Sequence, residues 1–258
     1  MVKIIDLNCD MGESFGAYRL GMDEEMLPFI SSANVACGFH AGDPLVMRRT
    51  VRLAREHGIA IGAHPGFPDL LGFGRRKMDC SYEEIRDYLT YQIGALQAFC
   101  QAEGTSLHHV KPHGALYNMA ATDPDLTHVI AETIHRTNPH LLLVILAGPR
   151  AEEMSKVAQN AGVRAIFEAF PDRAYTENGE LLSRKLPGAV IHNPGEVAAR
   201  ALRMAEEGQV VTTCGKVISL KVHSLCVHGD TPNSVALAAA IRQRLEDKII
   251  TVRAEALS

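Results

Sequence analysis

Short apolar or alternating segments recur along the chain, and each is followed by a longer segment with the signals of an α-helix. The short segments are bounded by glycine, proline or polar residues, which is typical of strands. They span residues 2–9, 31–38, 59–63, 107–111, 141–147, 163–168 and 225–228. In the first of them, Asp6, Asn8 and Asp10 fall on one face of the strand and the apolar side chains on the other.

The segments between the strands begin with helix caps. Asp43 precedes Pro44, and this pair favours a helix start because the carboxylate caps free amides and proline fits the first helical position. That helix is predicted to end before Gly58, and Ser81 with Glu84 forms a capping box. Further helix starts are predicted at residues 123–124, 149–150, 193–194 and 231–232, with a small hairpin within residues 210–222.

Strands that alternate with helical segments predict right-handed βαβ units and a parallel sheet. Polar residues follow nearly every strand, and this favours a barrel, in which catalytic groups from several strand ends converge on one mouth. An open doubly wound sheet is disfavoured because the first turn lacks a Gly-x-Gly-x-x-Gly pattern. The sequence therefore predicts one α/β domain over residues 1–258, a (β/α) barrel of seven or eight strands.

Composition narrows the classes of function. The 258 residues carry a formal charge of −4 without a basic block, so a nucleic-acid partner is not expected. No apolar run approaches the ~18 residues of a membrane span, and no leader-like segment precedes the first strand. The six cysteines are scattered without a Cys-x-x-Cys pair, which argues against a disulfide framework and a thiolate zinc site. We expect a cytoplasmic protein that does not bind membranes.

The fourth strand carries the densest chemistry. His109, Lys111 and His113 share one face of an extended segment, and three such groups on a buried strand are difficult to explain by packing. Pro112 removes a hydrogen-bond donor, so the strand is predicted to end there. Lys111 and His113 then lie at the mouth of the barrel, with Asn118 about one helical turn further on.

Comparable polar residues follow the other strands. The remaining candidates are Asn8, Asp10, Glu13, His40, His64, Arg75, Glu168, Asp172, Arg173, His228 and Asp230. Arg75 belongs to a Gly- and Arg-rich segment, residues 71–76, which is typical of a mobile lid that carries anion-binding arginines. This segment lacks the spacing of a Walker phosphate loop.

Six motifs, in residues 6–13, 34–43, 62–69, 110–118, 170–175 and 227–232, resemble the LamB/YcsF family. The resemblance covers essentially the whole chain, and Pro171 stands where a small residue is expected. It implies a seven-stranded barrel akin to polysaccharide deacetylases. It also implies ATP-dependent opening of the lactam of 5-oxo-L-proline to L-glutamate, together with two companion subunits, B and C.

This chemistry gives the candidate residues roles. His113, Asp10 or Asp172 is the expected base for water, and Lys111 and Arg173 are expected to stabilise anions. The expected substrate-binding residues are Asn8, Glu13, His40, His64, Arg75, Asn118, Glu168, His228 and Asp230. ATP and its Mg²⁺ are expected mainly on the partner subunits, because no nucleotide loop is visible in this chain.

A metal ion is the competing interpretation of the same residues. His40, His64, His113 and His228, with Asp10 and Asp230, are suitable ligands for zinc or another divalent ion. His109 and His113 lie about 13 Å apart on a strand at about 3.3 Å per residue, too far for one ion. Two alternatives to the ATP-dependent opening of 5-oxoproline remain: a metal-dependent carbohydrate deacetylase and a subunit that binds 5-oxoproline without turnover.

Overall fold

The structure is a computed structural model that describes residues 3–229 and 233–256. The predicted helix start at residues 231–232 and the candidate ligand Asp230 lie outside the described residues. Within the described part of the chain, no helix is both long enough and apolar enough to cross a membrane.

Ten strands are present in the described residues. They are β1 (Lys3–Met11), β2 (Ser32–Ala36), β3 (Ala60–His64), β4 (Leu107–Val110), β5 (Leu142–Leu146), β6 (Ala165–Ala169), β7 (Gln209–Val211), β8 (Val217–Ser219), β9 (Ser224–His228) and β10 (Ile250–Val252). Seven of these pair in parallel in the order β1-β2-β3-β4-β5-β6-β9, and β9 also pairs with β1. This last pairing closes the sheet, so the predicted barrel is confirmed and has seven strands.

The other strands lie outside the closed barrel. The pair β7 and β8 is antiparallel, which confirms the predicted hairpin. The strand β10 pairs in parallel with the first residues of β1 and extends the sheet beside the barrel.

Eight α-helices accompany the strands in the described residues. They are α1 (Asp23–Met26), α2 (Pro44–Glu56), α3 (Tyr82–Ala102), α4 (Gly114–Ala120), α5 (Pro124–Thr137), α6 (Ala151–Asn160), α7 (Pro194–Glu207) and α8 (Ser234–Glu246). The predicted caps are confirmed where the structure describes them. Asp43 accepts hydrogen bonds from the amides of Leu45 and Val46, and Ser81 forms a capping box with Glu84. These caps fix the points at which the chain leaves the barrel mouth.

The two faces of β1 differ as the alternation predicts. Leu7 and Cys9 are fully buried and belong to the main apolar core. Asn8 is also buried, and its Nδ2 donates to Glu168 Oε1 at 2.9 Å on β6. Because β1 and β6 are not neighbours in the sheet, this hydrogen bond crosses the barrel interior. Hydrogen-bonded polar side chains therefore fill part of the barrel interior.

Candidate active site

A cavity of about 500 Å³ opens at the carboxyl ends of the barrel strands. Nine of the predicted site residues line it: Asp10, Glu13, His64, Arg75, Lys111, His113, Asn118, Arg173 and His228. Four others are buried and are not part of its lining: Asn8, His40, Glu168 and Asp172. The strand ends therefore bring distant parts of the chain to one mouth.

Lys111 is the buried cation of this site. Its Nζ lies 2.8 Å from Asp10 Oδ1, 2.9 Å from Glu168 Oε1 and 3.2 Å from Cys226 Sγ. Burial by itself lowers the pKa of Lys111, but the negative charges around it, led by Asp10, outweigh burial and raise the pKa well above its usual value. Lys111 is therefore a charged ammonium that joins β1, β4, β6 and β9.

Asp10 connects this ammonium to the histidines. Its Oδ1 also accepts from Asn34 Nδ2 at 2.8 Å, and its Oδ2 lies 3.3 Å from His64 Nε2. Burial opposes the charge of Asp10, but His64 and Lys111 together hold its pKa well below the usual value. Asp10 is therefore ionised and a weak base.

His64 and His113 form a pair whose outer nitrogens are held by the backbone. His64 Nδ1 lies 2.7 Å from the carbonyl oxygen of Lys111, and His113 Nε2 lies 2.8 Å from that of Phe73. The two inner nitrogens, His64 Nε2 and His113 Nδ1, face each other at 2.9 Å. A carbonyl oxygen only accepts, so the outer nitrogens carry hydrogens and the inner ones point toward a common space.

His40 lies directly against this pair. Its ring stacks on that of His113 with centroids 3.7 Å apart, and His40 Nε2 is 3.9 Å from Glu13 Oε1. Both ring nitrogens of His40 are buried without a hydrogen-bond partner among the described residues. Burial lowers the pKa of His40 and of His113 well below the usual value, so both rings are neutral.

One ligand atom from each of Glu13, His40, His64 and His113 lies within 4.8 Å of the others. We call these four residues the histidine cluster. Carboxylate and imidazole are ligands that zinc and other transition metals prefer, so the cluster could bind a metal ion. His109 does not belong to it and instead contacts Asn34 Oδ1 at 2.7 Å inside the barrel.

Asp172 and His228 form a second pair on another wall. Asp172 Oδ2 lies 2.7 Å from His228 Nδ1, and the carboxylate is fully buried. Burial raises the pKa of Asp172, but His228, together with the charges of Arg184 and Arg173, outweighs burial, and the net pKa lies below the usual value. Asp172 thus accepts a hydrogen bond from Nδ1, which selects Nε2 as the basic nitrogen of His228.

The two predicted arginines lie at different depths. Arg173 is buried and donates to the carbonyl oxygens of Ala189 and Leu182, so it anchors the segment after β6. Arg75 is exposed, and its guanidinium lies 4.8 Å from the centroid of the Phe73 ring. Both arginines line the cavity, but Arg75 is exposed and Arg173 is buried.

A sequence model of the LamB/YcsF family matches residues 5–257. The chain belongs to the LamB/YcsF family. It is 52% identical over 253 residues to the A subunit of 5-oxoprolinase from Brevibacillus brevis, with 98% of each chain covered. It is 51% identical over 247 residues to the corresponding protein of Syntrophobacter fumaroxidans, which bears the same name, with 96% of each covered. The names of these relatives imply that they assemble with other subunits.

Solved structures agree with the fold of this LamB/YcsF protein. The crystal structure of the lactam utilization protein from Thermus thermophilus superposes with a TM-score of 0.91 at 50% identity, covering 98% of this chain and all of that one. The T48 deacetylase with substrate superposes with a TM-score of 0.50 at 15% identity, covering 97% and 87%. The second likeness concerns the fold alone, which is the barrel that the resemblance implied.

Sequence reasoning missed several residues of the site. Tyr117 OH donates to Glu168 Oε2 at 2.8 Å, and Cys226 contacts the ammonium of Lys111. Arg184 and Lys185 line the cavity from the segment after β6. Arg184 and Lys185 could have been recognised as adjacent cations in a polar loop that follows a strand. No local feature of the sequence distinguishes Cys226 from the other apolar residues of its strand.

Proposed function

We propose that this chain carries the hydrolytic site of an ATP-dependent 5-oxoprolinase, which opens the lactam of 5-oxo-L-proline to L-glutamate. The names of near-full-length relatives at about half identity support this assignment. The structural observation that carries the proposal is the cavity itself. A buried ammonium, an ionised carboxylate and a histidine oriented by a carboxylate meet there at the strand ends.

The chemistry explains why ATP is needed. A five-membered lactam is a stable amide, and phosphorylation of its oxygen by ATP yields ADP and an imidate-like phosphate that water attacks more readily. Water adds to the ring carbon, the C–N bond breaks as the nitrogen takes a proton, and γ-glutamyl phosphate results. A second water releases inorganic phosphate and leaves L-glutamate. Such a site needs a base for water and cations for the oxyanion and phosphate.

His228 is the base that the geometry favours. Asp10 has a pKa well below its usual value, and Asp172 is buried against His228, so both are poorly suited to accept a proton from water. The inner nitrogen of His113 points at His64. Asp172 then acts as a positioning residue, since it holds His228 with Nε2 as the acceptor.

Cations on the cavity wall suit the anionic parts of the substrate. Arg75, Arg184 and Lys185 line the cavity, and a guanidinium binds a carboxylate or phosphate through two parallel hydrogen bonds. Lys111 already contacts two carboxylates, so its ammonium is not expected to bind the substrate directly. Its positive charge still contributes to the electrostatic field in the cavity. We assign the substrate carboxylate to Arg75 and the phosphate to the other two.

ATP and Mg²⁺ belong to the partner subunits in this proposal. The Gly72 to Arg76 segment has the wrong spacing for a phosphate cradle, and two arginines alone do not orient a triphosphate and its magnesium. The partners are subunits B and C of a 5-oxoprolinase, and the complex is cytoplasmic.

The test is release of glutamate and phosphate from 5-oxoproline plus ATP by the purified chain, with and without subunits B and C. We expect almost no product and little ATP hydrolysis from the chain alone, and both activities when the partners are added. Ring opening by the chain alone would contradict the assignment of ATP to the partners. Binding of 5-oxoproline that survives Asp172→Asn, with the activity of the complex unchanged, would indicate a subunit that binds without turnover.

The histidine cluster favours one second candidate, a metal-dependent carbohydrate deacetylase. This activity would release acetate from N-acetylated sugar oligomers without ATP and without partner subunits. Two assays on the same preparation of the chain therefore distinguish the two functions. Acetate release in the absence of ATP supports the deacetylase, and glutamate release in the complex supports the 5-oxoprolinase.

A further inference from the structure

The facing nitrogens of His64 and His113 require a positive charge between them. Each ring donates its outer N–H to a backbone carbonyl, and neutral imidazole has only one N–H. The inner nitrogens therefore direct lone pairs at each other across 2.9 Å. Either a shared proton or a bound cation removes this repulsion. Anchoring of the outer N–H to a carbonyl is also the usual support of a metal-binding histidine.

His40 separates these two explanations. A proton shared by His64 and His113 leaves both buried nitrogens of His40 without a partner among the described residues. Buried polar groups that remain unpaired are rare, because the lost hydration is not replaced. A metal ion in the same space gives a nitrogen of His40 a ligand role and removes the repulsion of the other pair as well.

The charges and the donor set suit a divalent ion. Glu13 offers a carboxylate oxygen 3.9 Å from His40 Nε2, and Asp10 Oδ2 lies 3.3 Å from His64 Nε2. The carboxylates of Glu13 and Asp10, the latter shared with Lys111, offset part of the charge of such an ion. Three imidazoles with a carboxylate are typical of zinc and related transition metals rather than magnesium or calcium.

The orientations of the ring planes determine which of the three histidines can point at one ion. His64 and His113 are nearly perpendicular, at 87°, so their inner nitrogens can point at one ion. His40 and His113 are parallel, at 3°, so both cannot point at the same position until one rotates. His40 can turn without breaking a hydrogen bond, since neither of its nitrogens has a partner in the described part of the chain.

A second group, Asp10, Cys226 and His228, also offers three ligand atoms in close range. Lys111 Nζ lies 2.8 Å from Asp10 Oδ1 and 3.2 Å from Cys226 Sγ. An ammonium thus already supplies the positive charge at that place, and a divalent ion there would be repelled. The cluster of Glu13 and the three histidines is therefore the better metal site.

We propose that Glu13, His64 and His113 bind one divalent transition metal ion of the zinc type, with His40 rotating to complete the site. The proposal is independent of the 5-oxoprolinase activity, because binding is measured without substrate, ATP or partner subunits. The ion lies beside Asp10 at the cavity wall, and its removal is expected to leave the fold in place.

The experiment uses the full chain after chelation and dialysis. Zn²⁺ is titrated by calorimetry, and Co²⁺ is added as a spectroscopic probe of the ligands. We expect one equivalent to bind with a Kd below about 1 µM, and visible Co²⁺ bands of a site with fewer than six ligands. His64→Ala and His113→Ala are expected to weaken binding at least about 100-fold, and His40→Ala about 10-fold with a shifted Co²⁺ spectrum.

Controls separate loss of a ligand from loss of the fold. His135→Ala removes an exposed histidine and His228→Ala a histidine of the other group, and both are expected to retain the affinity within about twofold. Glu13→Gln nearly preserves size, so it reports on the site if a histidine variant does not fold. A Kd above about 1 mM, or binding unchanged in His64→Ala, His113→Ala and Glu13→Gln, overturns the proposal in favour of a shared proton.

Discussion

Replacement of Lys111 by methionine tests the electrostatic centre of the barrel. Methionine has a similar length and no charge, so the substitution removes the ammonium and largely keeps the volume. Asp10 and Glu168 would then lose the cation at 2.8 and 2.9 Å. Glu168 is fully buried and Asp10 is half-buried, so both carboxylates would keep their charges with the ammonium removed.

The magnitude follows from the geometry. Removal of one partner of a buried ion pair costs about 3–5 kcal/mol, since an unpaired buried charge remains. The hydrogen bonds that remain reduce this figure, because Asn34 still donates to Asp10 and Asn8 still donates to Glu168. We therefore expect Lys111→Met to lower the free energy of unfolding at pH 7.5 by about 3 kcal/mol.

The stability difference between the native protein and Lys111→Met should depend on pH in a defined direction. In the native protein the pKa of Asp10 lies well below its usual value, so its contribution is lost only as the pH falls below about 3.9. Without Lys111 the folded protein should bind a proton more readily, and its stability should increase as the pH falls. The difference in stability between the two proteins should thus narrow from pH 7.5 to pH 4.5.

The assay is urea unfolding followed by circular dichroism at both pH values. A double-mutant cycle with Glu168→Gln should give a favourable coupling energy of about 1–3 kcal/mol, because the second change removes one unpaired charge. A loss below about 1 kcal/mol that does not change with pH would show that Lys111 is uncharged or that the carboxylates are protonated. Either result would refute the electrostatic interpretation of the site.

Three further predictions concern the site and its frame. His228→Ala removes the proposed base and Asp172→Asn its positioning carboxylate, so each should lower turnover of the assembled enzyme about 100-fold or more without loss of folded protein, and a variant inactive only through unfolding would indicate a structural role. Burial raises the pKa of Asp23 to about 6, so Asp23→Asn should stabilise the chain by about 1–3 kcal/mol at pH 7.5. That gain should vanish by pH 4, and a gain independent of pH would contradict it. A Cβ on Gly62 would clash with the imidazole of His109, so Gly62→Ala should destabilise the fold by about 3 kcal/mol in urea unfolding. At Gly94 in α3 an added Cβ meets no atom within 4 Å beyond the neighbouring backbone of its own helix, so Gly94→Ala should stabilise by about 0.5 kcal/mol, and similar effects of the two changes would refute the packing argument.

Local rules determined much of the fold from the sequence. The alternation of Asp6, Asn8 and Asp10 with apolar residues follows from the two-residue repeat of a strand, and the structure has the two sets on opposite faces of β1, buried or half-buried. The caps at Asp43 and Ser81 depend only on neighbouring amides and were likewise readable. Residues at the carboxyl ends of the strands could be gathered as candidates because parallel strands place those ends on one side.

The tertiary structure decided which of these residues meet. Closure through β1 and β9 joins segments from opposite ends of the chain, and no local pattern distinguishes a seven-stranded barrel from one with eight. The strand register then places Lys111 beside Asp10, 101 residues away in the sequence, and His64 beside His113, 49 residues away. Asp172 illustrates the consequence. Its position after β6 was evident from the sequence, but its burial against His228 depends on how the strand ends pack together in space.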